Sequence, residues 1–261
     1  MAVIRHPAVA GMFYPDEPGE LHAAIADFLA SAKPVEQVPK AIIAPHAGYI
    51  YSGPVAASAY ASLRAARDTI TRVVLLGPAH RVPVKGLALS GVDAFATPLG
   101  DVPIDVEAIA LINKLPQVKV LDRAHAEEHS LEVHLPFLQE ILGEFKLVPL
   151  VVGDASAAEV GEVLERLWGG AETLIVISSD LSHYHDYATA QRMDAKTSKA
   201  IEALRYEDIG YEDACGRIPV SGLLHVARRR GLHARTVDLR NSGDTAGPRH
   251  QVVGYGAYLF N

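Results

Sequence analysis

The chain has 261 residues, 49% of them hydrophobic, and a formal net charge of −7. This length can bury a sizeable core, and the negative charge argues against the broad positive surface that nucleic-acid binding requires. The single cysteine, Cys215, excludes an intramolecular disulfide and favours a reducing compartment. The N-terminus lacks an uninterrupted apolar run, and no run approaches the roughly 18 residues that span a membrane. We therefore expect a cytoplasmic protein with no nucleic-acid or membrane partner.

Helix-like and strand-like stretches alternate along the chain. The predicted helices cover 20–32, 53–66, 105–115, 130–142, 156–168, 189–204 and 220–230. The predicted strands cover 41–44, 72–76, 86–90, 146–152, 173–178, 234–239 and 252–260. Many strands are continuous apolar runs, which indicates a sheet covered by helices on both faces. Because no linker, compositional break or internal repeat is visible, the sequence predicts a single three-layer α/β/α domain over residues 1–261.

Three of the apolar runs end in a residue that can bind metal or move protons. His46 follows "AIIAP", His80 follows "RVVLLGPA", and Asp180 follows "TLIVISS". Ligands of open α/β sheets bind beyond the carboxyl ends of the strands, so a shared sheet would bring these three side chains to one edge. An isolated loop histidine is usually solvated, but the repetition at three strand ends favours a site.

Two imidazoles and one carboxylate suit a divalent first-row metal, above all non-heme Fe(II), with Zn(II) or Cu as alternatives. His46 and His80 can supply the imidazoles. Asp244, in the turn "NSGDT", is the candidate carboxylate, and Asp180 is the alternative. Asp beside Gly is also ordinary turn chemistry, so Asp244 has an equally good structural explanation.

The segment 122–142 places three histidines and five acidic residues before and into a helix. Glu127 and Glu128 fit a solvated first turn, where acids meet the helix dipole favourably. His129 and His134 fit that explanation less well, which favours neutral, hydrogen-bonded imidazoles that line a pocket. Their spacing excludes the HExxH motif of zincins.

Six motifs match, in order, those of the Memo family, whose bacterial and archaeal members are called AmmeMemoRadiSam system protein B. They are "GMFYP" (11–15), "PHAGYIYSG" (45–53), "LLGPAH" (75–80), "EEHSLEVHLPFL" (127–138), "SSDLSHYH" (178–185) and "NSGDT" (241–245). The resemblance runs over essentially the whole chain. The family is similar in fold to the B subunit of class III extradiol ring-cleaving dioxygenases, which are non-heme Fe(II) enzymes.

The resemblance implies roles for individual residues. His46 and His80 would be the imidazole ligands of the metal, and His183 would be a general base with Asp180 beside it. The alternative for Asp180 and His183 is that they cap the helix that follows. The substrate-binding candidates are Tyr14, His129 and His134. Animal members have a cysteine near the position of Asp244, so a carboxylate here favours Fe(II) over Cu(I).

Three functions stay open at this point. The first is an Fe(II)-dependent, dioxygenase-like oxidoreductase that acts on a small catechol-like substrate, with His183 removing a hydroxyl proton. The second is a non-catalytic module that keeps the cleft and binds a metal or a (phospho)peptide, as animal members of the family are associated with phosphopeptide binding. A metal-assisted hydrolase is a weaker third option. The prokaryotic family name also implies a functional association with a radical-SAM protein.

Overall fold

The computed structural model describes residues 2–33 and 37–261. Within these residues the strands are β1 (Ile4–Arg5), β2 (Ala41–Ala44), β3 (Arg72–Pro78), β4 (Leu87–Leu89), β5 (Ala94–Thr97), β6 (Gly100–Pro103), β7 (Val118–Val120), β8 (Lys146–Val152), β9 (Thr173–Ser178), β10 (His183–His185), β11 (Ala234–Asn241) and β12 (Val252–Phe260). The α-helices are α1 (Pro18–Ser31), α2 (Tyr49–Tyr60), α3 (Val106–Ala110), α4 (Arg123–Ala126), α5 (His129–Glu132), α6 (Leu135–Ile141), α7 (Ala157–Leu167), α8 (Tyr187–Glu202) and α9 (Arg217–Arg230). No helix in these two ranges is long and apolar enough to cross a membrane.

Nine strands form one sheet in the order β10-β12-β2-β9-β3-β8-β4-β7, and β11 also pairs with β12. The four strands β2, β9, β3 and β8 are parallel, so their carboxyl ends lie at the same edge of the sheet. β12 runs antiparallel to β2, and β4 runs antiparallel to β8. The remaining strands, β1, β5 and β6, form a small separate sheet. The loops that follow β2, β9, β3 and β8 therefore lie together at that edge.

Both faces of the large sheet are buried along its parallel centre, which explains the continuous apolar runs in the sequence. Along β3, Val73 and Leu75 belong to one hydrophobic cluster, which includes side chains of α1, α2 and α6. Val74 and Leu76 belong to a second cluster, which includes side chains of α7, α8 and α9. Successive strand residues point to opposite faces, so a strand between two helical layers must be apolar at every position. The three-layer α/β/α prediction is confirmed.

All seven predicted strands are present, but three predicted helices differ from expectation. The helix predicted at 53–66 begins earlier, as α2 over Tyr49–Tyr60, and continues as a 3₁₀ helix over Ala61–Ala66. The helix predicted at 130–142 is divided into α5 and α6, with Pro136 in the first turn of α6. A proline has no N–H for a continuous helix and fits the first turn of a new one. The helix predicted at 105–115 ends at Ala110, after which Leu111 and Ile112 donate to carbonyls three residues back, in tighter turns.

Candidate metal centre

A cleft of about 1030 Å³ lies at the carboxyl ends of the parallel strands. It is lined by residues that follow the four strands, namely His46 after β2, His80 after β3, Gly153 after β8 and Asp180 after β9. His183 of β10, His129 of α5 and Cys215, which precedes α9, line the same cleft. The structure therefore brings together His46, His80 and His183.

The ring of His46 has a defined tautomer. Its Nδ1 lies 2.6 Å from the Ser178 hydroxyl oxygen, and that hydroxyl donates to the main-chain carbonyl of Ser130 at 2.6 Å. Because the only hydroxyl proton is already used, Ser178 must accept from His46 Nδ1–H. Burial lowers the pKa of His46 well below its usual value, and the nearby imidazoles lower it further. The ring is therefore neutral, and its Nε2 carries a free lone pair.

A buried carboxylate fixes the ring of His80 in the same tautomer. Glu128 accepts from the main-chain N–H of His80 at 2.6 Å and lies 2.8 Å from its Nδ1. Burial alone would raise the pKa of the Glu128 carboxyl, but hydrogen bonds from His80 and Ser130 lower it to about 2. The ionised carboxylate can only accept, so His80 Nδ1 carries the proton. Nε2 of a neutral His80 is then the nitrogen available as a ligand.

Cys215 completes a group of three donor atoms. One ring nitrogen each from His46 and His80 and the sulfur of Cys215 all lie within 4.8 Å of one another. The sulfur is 3.5 Å from His46 Nε2 and accepts from the main-chain N–H of Asp180 at 3.3 Å. Metal–ligand bonds to imidazole and thiolate are about 2.0–2.3 Å long, so small side-chain movements would let these atoms share one metal. The donor set fits a first-row transition metal.

Asp180 joins two of the strand-end loops. It is 4% exposed, its Oδ1 accepts from the His46 main-chain N–H at 2.8 Å, and its Oδ2 lies 4.0 Å from His46 Nε2. Burial raises the pKa of the Asp180 carboxyl, while His183 and the His46 N–H act against that rise. Neither Asp180 nor His183 caps the next helix, because the N-cap of α8 is Asp186, which accepts from Thr189 N–H. The helix-capping alternative is thus wrong, and both side chains face the cleft.

His129 forms part of the cleft wall beside His80. Its ring lies 4.7 Å from the His80 ring in a stacked arrangement and 5.5 Å from the His46 ring. Its Nδ1 is 3.5 Å from Glu128 Oε1, a distance too long for a hydrogen bond. Burial lowers the pKa of His129 to about 4, so the ring is neutral at physiological pH. His129 thus lines the cleft, but its Nδ1 lacks the hydrogen bond that was expected of a pocket-lining imidazole.

Tyr14 and His134 lie behind the cleft instead of lining it. The Tyr14 hydroxyl donates to Glu132 Oε1 at 2.6 Å, and Tyr14 is 3% exposed. His134 Nδ1 lies 2.7 Å from the Tyr60 hydroxyl, and His134 is 1% exposed. Burial lowers the pKa of His134 to about 3. These two side chains are buried and do not line the cleft, so neither is placed to bind a substrate there.

Asp244 is not brought to the two imidazoles. Its Oδ1 accepts from the Tyr187 hydroxyl at 2.5 Å, and its Oδ2 accepts from the main-chain N–H of Asn241 at 3.0 Å. This pairing closes a capping box at a 3₁₀ turn, which is the turn chemistry considered as its alternative explanation. Among the residues that the structure describes, Cys215 and not Asp244 groups with His46 and His80.

Sequence reasoning missed three residues of the centre. The sequence favours a solvated position in a first helical turn for Glu128, yet Glu128 is 2% exposed and accepts hydrogen bonds from His80. Ser178 begins the motif "SSDLSHYH", and its hydroxyl sets the His46 tautomer only through a contact with Ser130 from another segment. Cys215 has no local signal, because its loop falls between two predicted helices and carries no metal-binding spacing.

A family model and several individual proteins each match nearly the whole chain. A family model described as "Memo-like protein" matches residues 5–259. A MEMO1 family protein of Aquifex aeolicus is 39% identical over 269 residues, covering 98% of this chain and 99% of the relative. A MEMO1 family protein of Archaeoglobus fulgidus is 34% identical over 269 residues, with the same coverage of 98% and 99%. A third, from Thermotoga neapolitana, is 36% identical over 276 residues and covers 97% and 98%.

One solved structure supports the fold. The crystal structure of an uncharacterized protein from Escherichia coli K12 matches with a TM-score of 0.51 at 12% sequence identity. The match covers 84% of this chain and 98% of that chain. At this identity the likeness shows the fold alone.

Proposed function

The chain belongs to the Memo family, and we propose that it is a metal-dependent oxidoreductase whose metal is held by His46, His80 and Cys215. The observation that carries this proposal is the convergence of the Cys215 sulfur with two imidazoles whose Nδ1 protons are already engaged. Buried partners that fix the tautomer of a histidine are typical of metal sites, because they leave the other nitrogen free as a ligand. Here the free Nε2 of His46 also lies 3.5 Å from the Cys215 sulfur, a second potential ligand.

The donor set changes the argument about which metal binds. The expectation of Fe(II) relied on a carboxylate from Asp244, but the group found here offers two nitrogens and one sulfur. Imidazole and thiolate together suit Zn(II), Cu and Fe(II). Fe(II) remains our proposal because the proposed reaction is an oxidation by O₂. Zn(II) and Cu are the alternatives, and elemental analysis must distinguish them from Fe(II).

The remaining cleft residues suit a small aromatic substrate such as a catechol-like diol. The cleft volume of about 1030 Å³ accommodates a small molecule, and Phe13, Tyr51 and Tyr255 supply apolar wall. We propose that His183 accepts a substrate hydroxyl proton and that Asp180 stabilises the resulting imidazolium. The metal, when bound, would polarise the substrate oxygens and supply the redox chemistry.

The test begins with protein purified without oxygen. Elemental analysis should give one transition metal per chain, and O₂ uptake with aromatic diols should depend on it. Replacing His46 and His80 by alanine should abolish both while leaving the circular dichroism spectrum unchanged. A matched control replaces His22, which lies on the surface against Glu140, and His225, which contacts Tyr206. Full metal content in the His46/His80 variant would disprove the assignment.

A non-catalytic ligand-binding module is the second candidate, and the rim of the cleft favours it. Met12, Tyr184 and Tyr211 line the cleft while being 72%, 69% and 80% exposed. Exposed large side chains around an open cleft suit a peptide ligand as well as a small molecule. Stoichiometric metal without O₂ uptake on any diol would favour this candidate over the oxidoreductase.

A further inference from the structure

Two motifs of the sequence, "GMFYP" and "EEHSLEVH", meet behind the cleft at the carboxylate of Glu132. One oxygen of Glu132 accepts from the Arg5 guanidinium and from the Ala8 N–H at 2.8 Å. The other accepts from the Val9 N–H at 2.9 Å and from the Tyr14 hydroxyl at 2.6 Å. The Glu132 side chain is fully buried and that of Arg5 is 5% exposed. A single carboxylate thus fastens residues 5–14 to α5.

Arg5 extends this attachment toward the candidate metal centre. Its Nε donates to the main-chain carbonyl of His125 at 3.1 Å, and its Nη2 donates to that of Glu128 at 2.8 Å. The carboxylate of the same Glu128 fixes His80. Arg5 therefore holds the main chain of the same residue whose carboxylate holds a proposed metal ligand.

The same segment reaches the centre at a second point. The Phe13 ring lies 5.0 Å from the His129 ring, which stacks on His80. The Phe13 carbonyl accepts from the Tyr49 N–H at 2.7 Å, at the start of α2, three residues after His46. Residues 5–14 thus contact the segments that carry both imidazoles.

We propose that residues 5–14 form a clasp that holds Glu128, and through it His80, in the geometry that metal binding requires. This inference rests on the proposed metal centre. Arg5, Tyr14 and Glu132 are then positioning residues, since none of the three lines the cleft. Docking of the clasp raises the affinity for the metal, and metal binding stabilises the docked clasp. Thermodynamic linkage requires these two effects to be equal in free energy.

The test compares Arg5→Met and the milder Tyr14→Phe with a matched control, Arg72→Met. Arg72 pairs with the buried Asp105 at 2.6 Å, but it lies at the amino end of β3, roughly 20 Å along the strand from His80. Zn(II) is the probe, and its affinity is measured by competition with a chromophoric chelator. In metal-free protein, ¹⁵N chemical shifts report the tautomer of His80.

Arg5→Met should lower Zn(II) affinity about 10- to 100-fold, the scale for losing support behind a ligand, and Tyr14→Phe should lower it by a smaller factor. Arg72→Met should leave the affinity within about twofold of the wild type. In the wild type, Zn(II) should slow hydrogen exchange of the Ala8 and Val9 amides, and the Arg5 variant should lose the single His80 tautomer. Equal affinity losses in the Arg5 and Arg72 variants would overturn the clasp. If the wild-type protein binds no Zn(II), the proposed metal centre is wrong. The clasp is then tested only by whether Arg5→Met loses the single His80 tautomer, and a retained tautomer would overturn it.

Discussion

Replacing Glu128 by glutamine tests how the protein prepares His80 for metal. Glu128 Oε1 accepts from His80 Nδ1 and from the Ser130 N–H, and Oε2 accepts from the His80 N–H. Glutamine is nearly isosteric but keeps only one acceptor oxygen. Its side-chain NH₂ group must therefore point at one or more of the N–H groups that donate to Glu128, which places two donors against each other.

The contacts set the size of the effect. A hydrogen bond to a charged group contributes about 1.5–3 kcal/mol, and a buried donor left unpaired costs a similar amount. We expect Glu128→Gln to lower the free energy of unfolding by about 2–4 kcal/mol. Metal affinity should fall about 10- to 100-fold, because His80 loses the partner that holds its tautomer.

The assay pairs urea denaturation with Zn(II) titration in the same buffer. Asp105→Asn is the matched control, since Asp105 is a buried helix N-cap that accepts from the Ala108 N–H and the Arg72 guanidinium. This variant should lose stability while keeping its metal affinity within about twofold. Unchanged Zn(II) affinity in Glu128→Gln would refute the view that a carboxylate prepares His80 as a ligand.

Three further outcomes follow from the site. His183→Ala should keep its metal and lose turnover by about 10²- to 10⁴-fold, the usual scale for a positioned base; loss of metal would make His183 a ligand instead. Cys215→Ala loaded with Co(II) should lack the near-ultraviolet sulfur-to-metal charge-transfer band that the wild type shows. If the band persists in this variant, the Cys215 thiolate is not a metal ligand. Burial raises the pKa of Asp194, which accepts from the Ser182 N–H, from 3.8 to about 6. Because the ionised form is disfavoured in the folded state, the wild type should lose at most about 3 kcal/mol of stability as the pH rises from about 4 to 6. Asp194→Asn should lack this loss, and identical pH profiles in thermal denaturation would contradict the reasoning.

The sequence predicted the fold well because the parallel strands are buried on both faces. Runs such as 72–76 and 173–178 are apolar at every position or nearly so, which marks them without reference to their neighbours. The short strands β1, β5, β6, β7 and β10 are not predicted, because none of them is a continuous apolar run as β2 and β4 are. Their pairing depends on partners distant in the chain, which local patterns do not reveal.

The site shows the same difference between features that the local sequence reveals and features that depend on distant segments. His46, His80 and Asp180 each follow a strand end, which can be recognised locally, and all three line the cleft, whereas the role of His183 is implied only by the family resemblance. The third donor could not be found in this way. Cys215 reaches the cleft through a loop near Asp180, to whose main-chain carbonyl its own N–H donates at 3.3 Å. Asp244 had a plausible sequence context, but the turn that contains it satisfies both of its oxygens locally.

X-ray absorption spectroscopy of the metal-loaded protein tests the central claim most directly. Zn(II)-loaded wild-type protein should show one sulfur at about 2.3 Å and two imidazole nitrogens at about 2.0–2.1 Å in its first coordination sphere. That result would place His46, His80 and Cys215 on one metal. A spectrum with only oxygen and nitrogen neighbours, or protein that retains no stoichiometric Zn(II), would contradict the account.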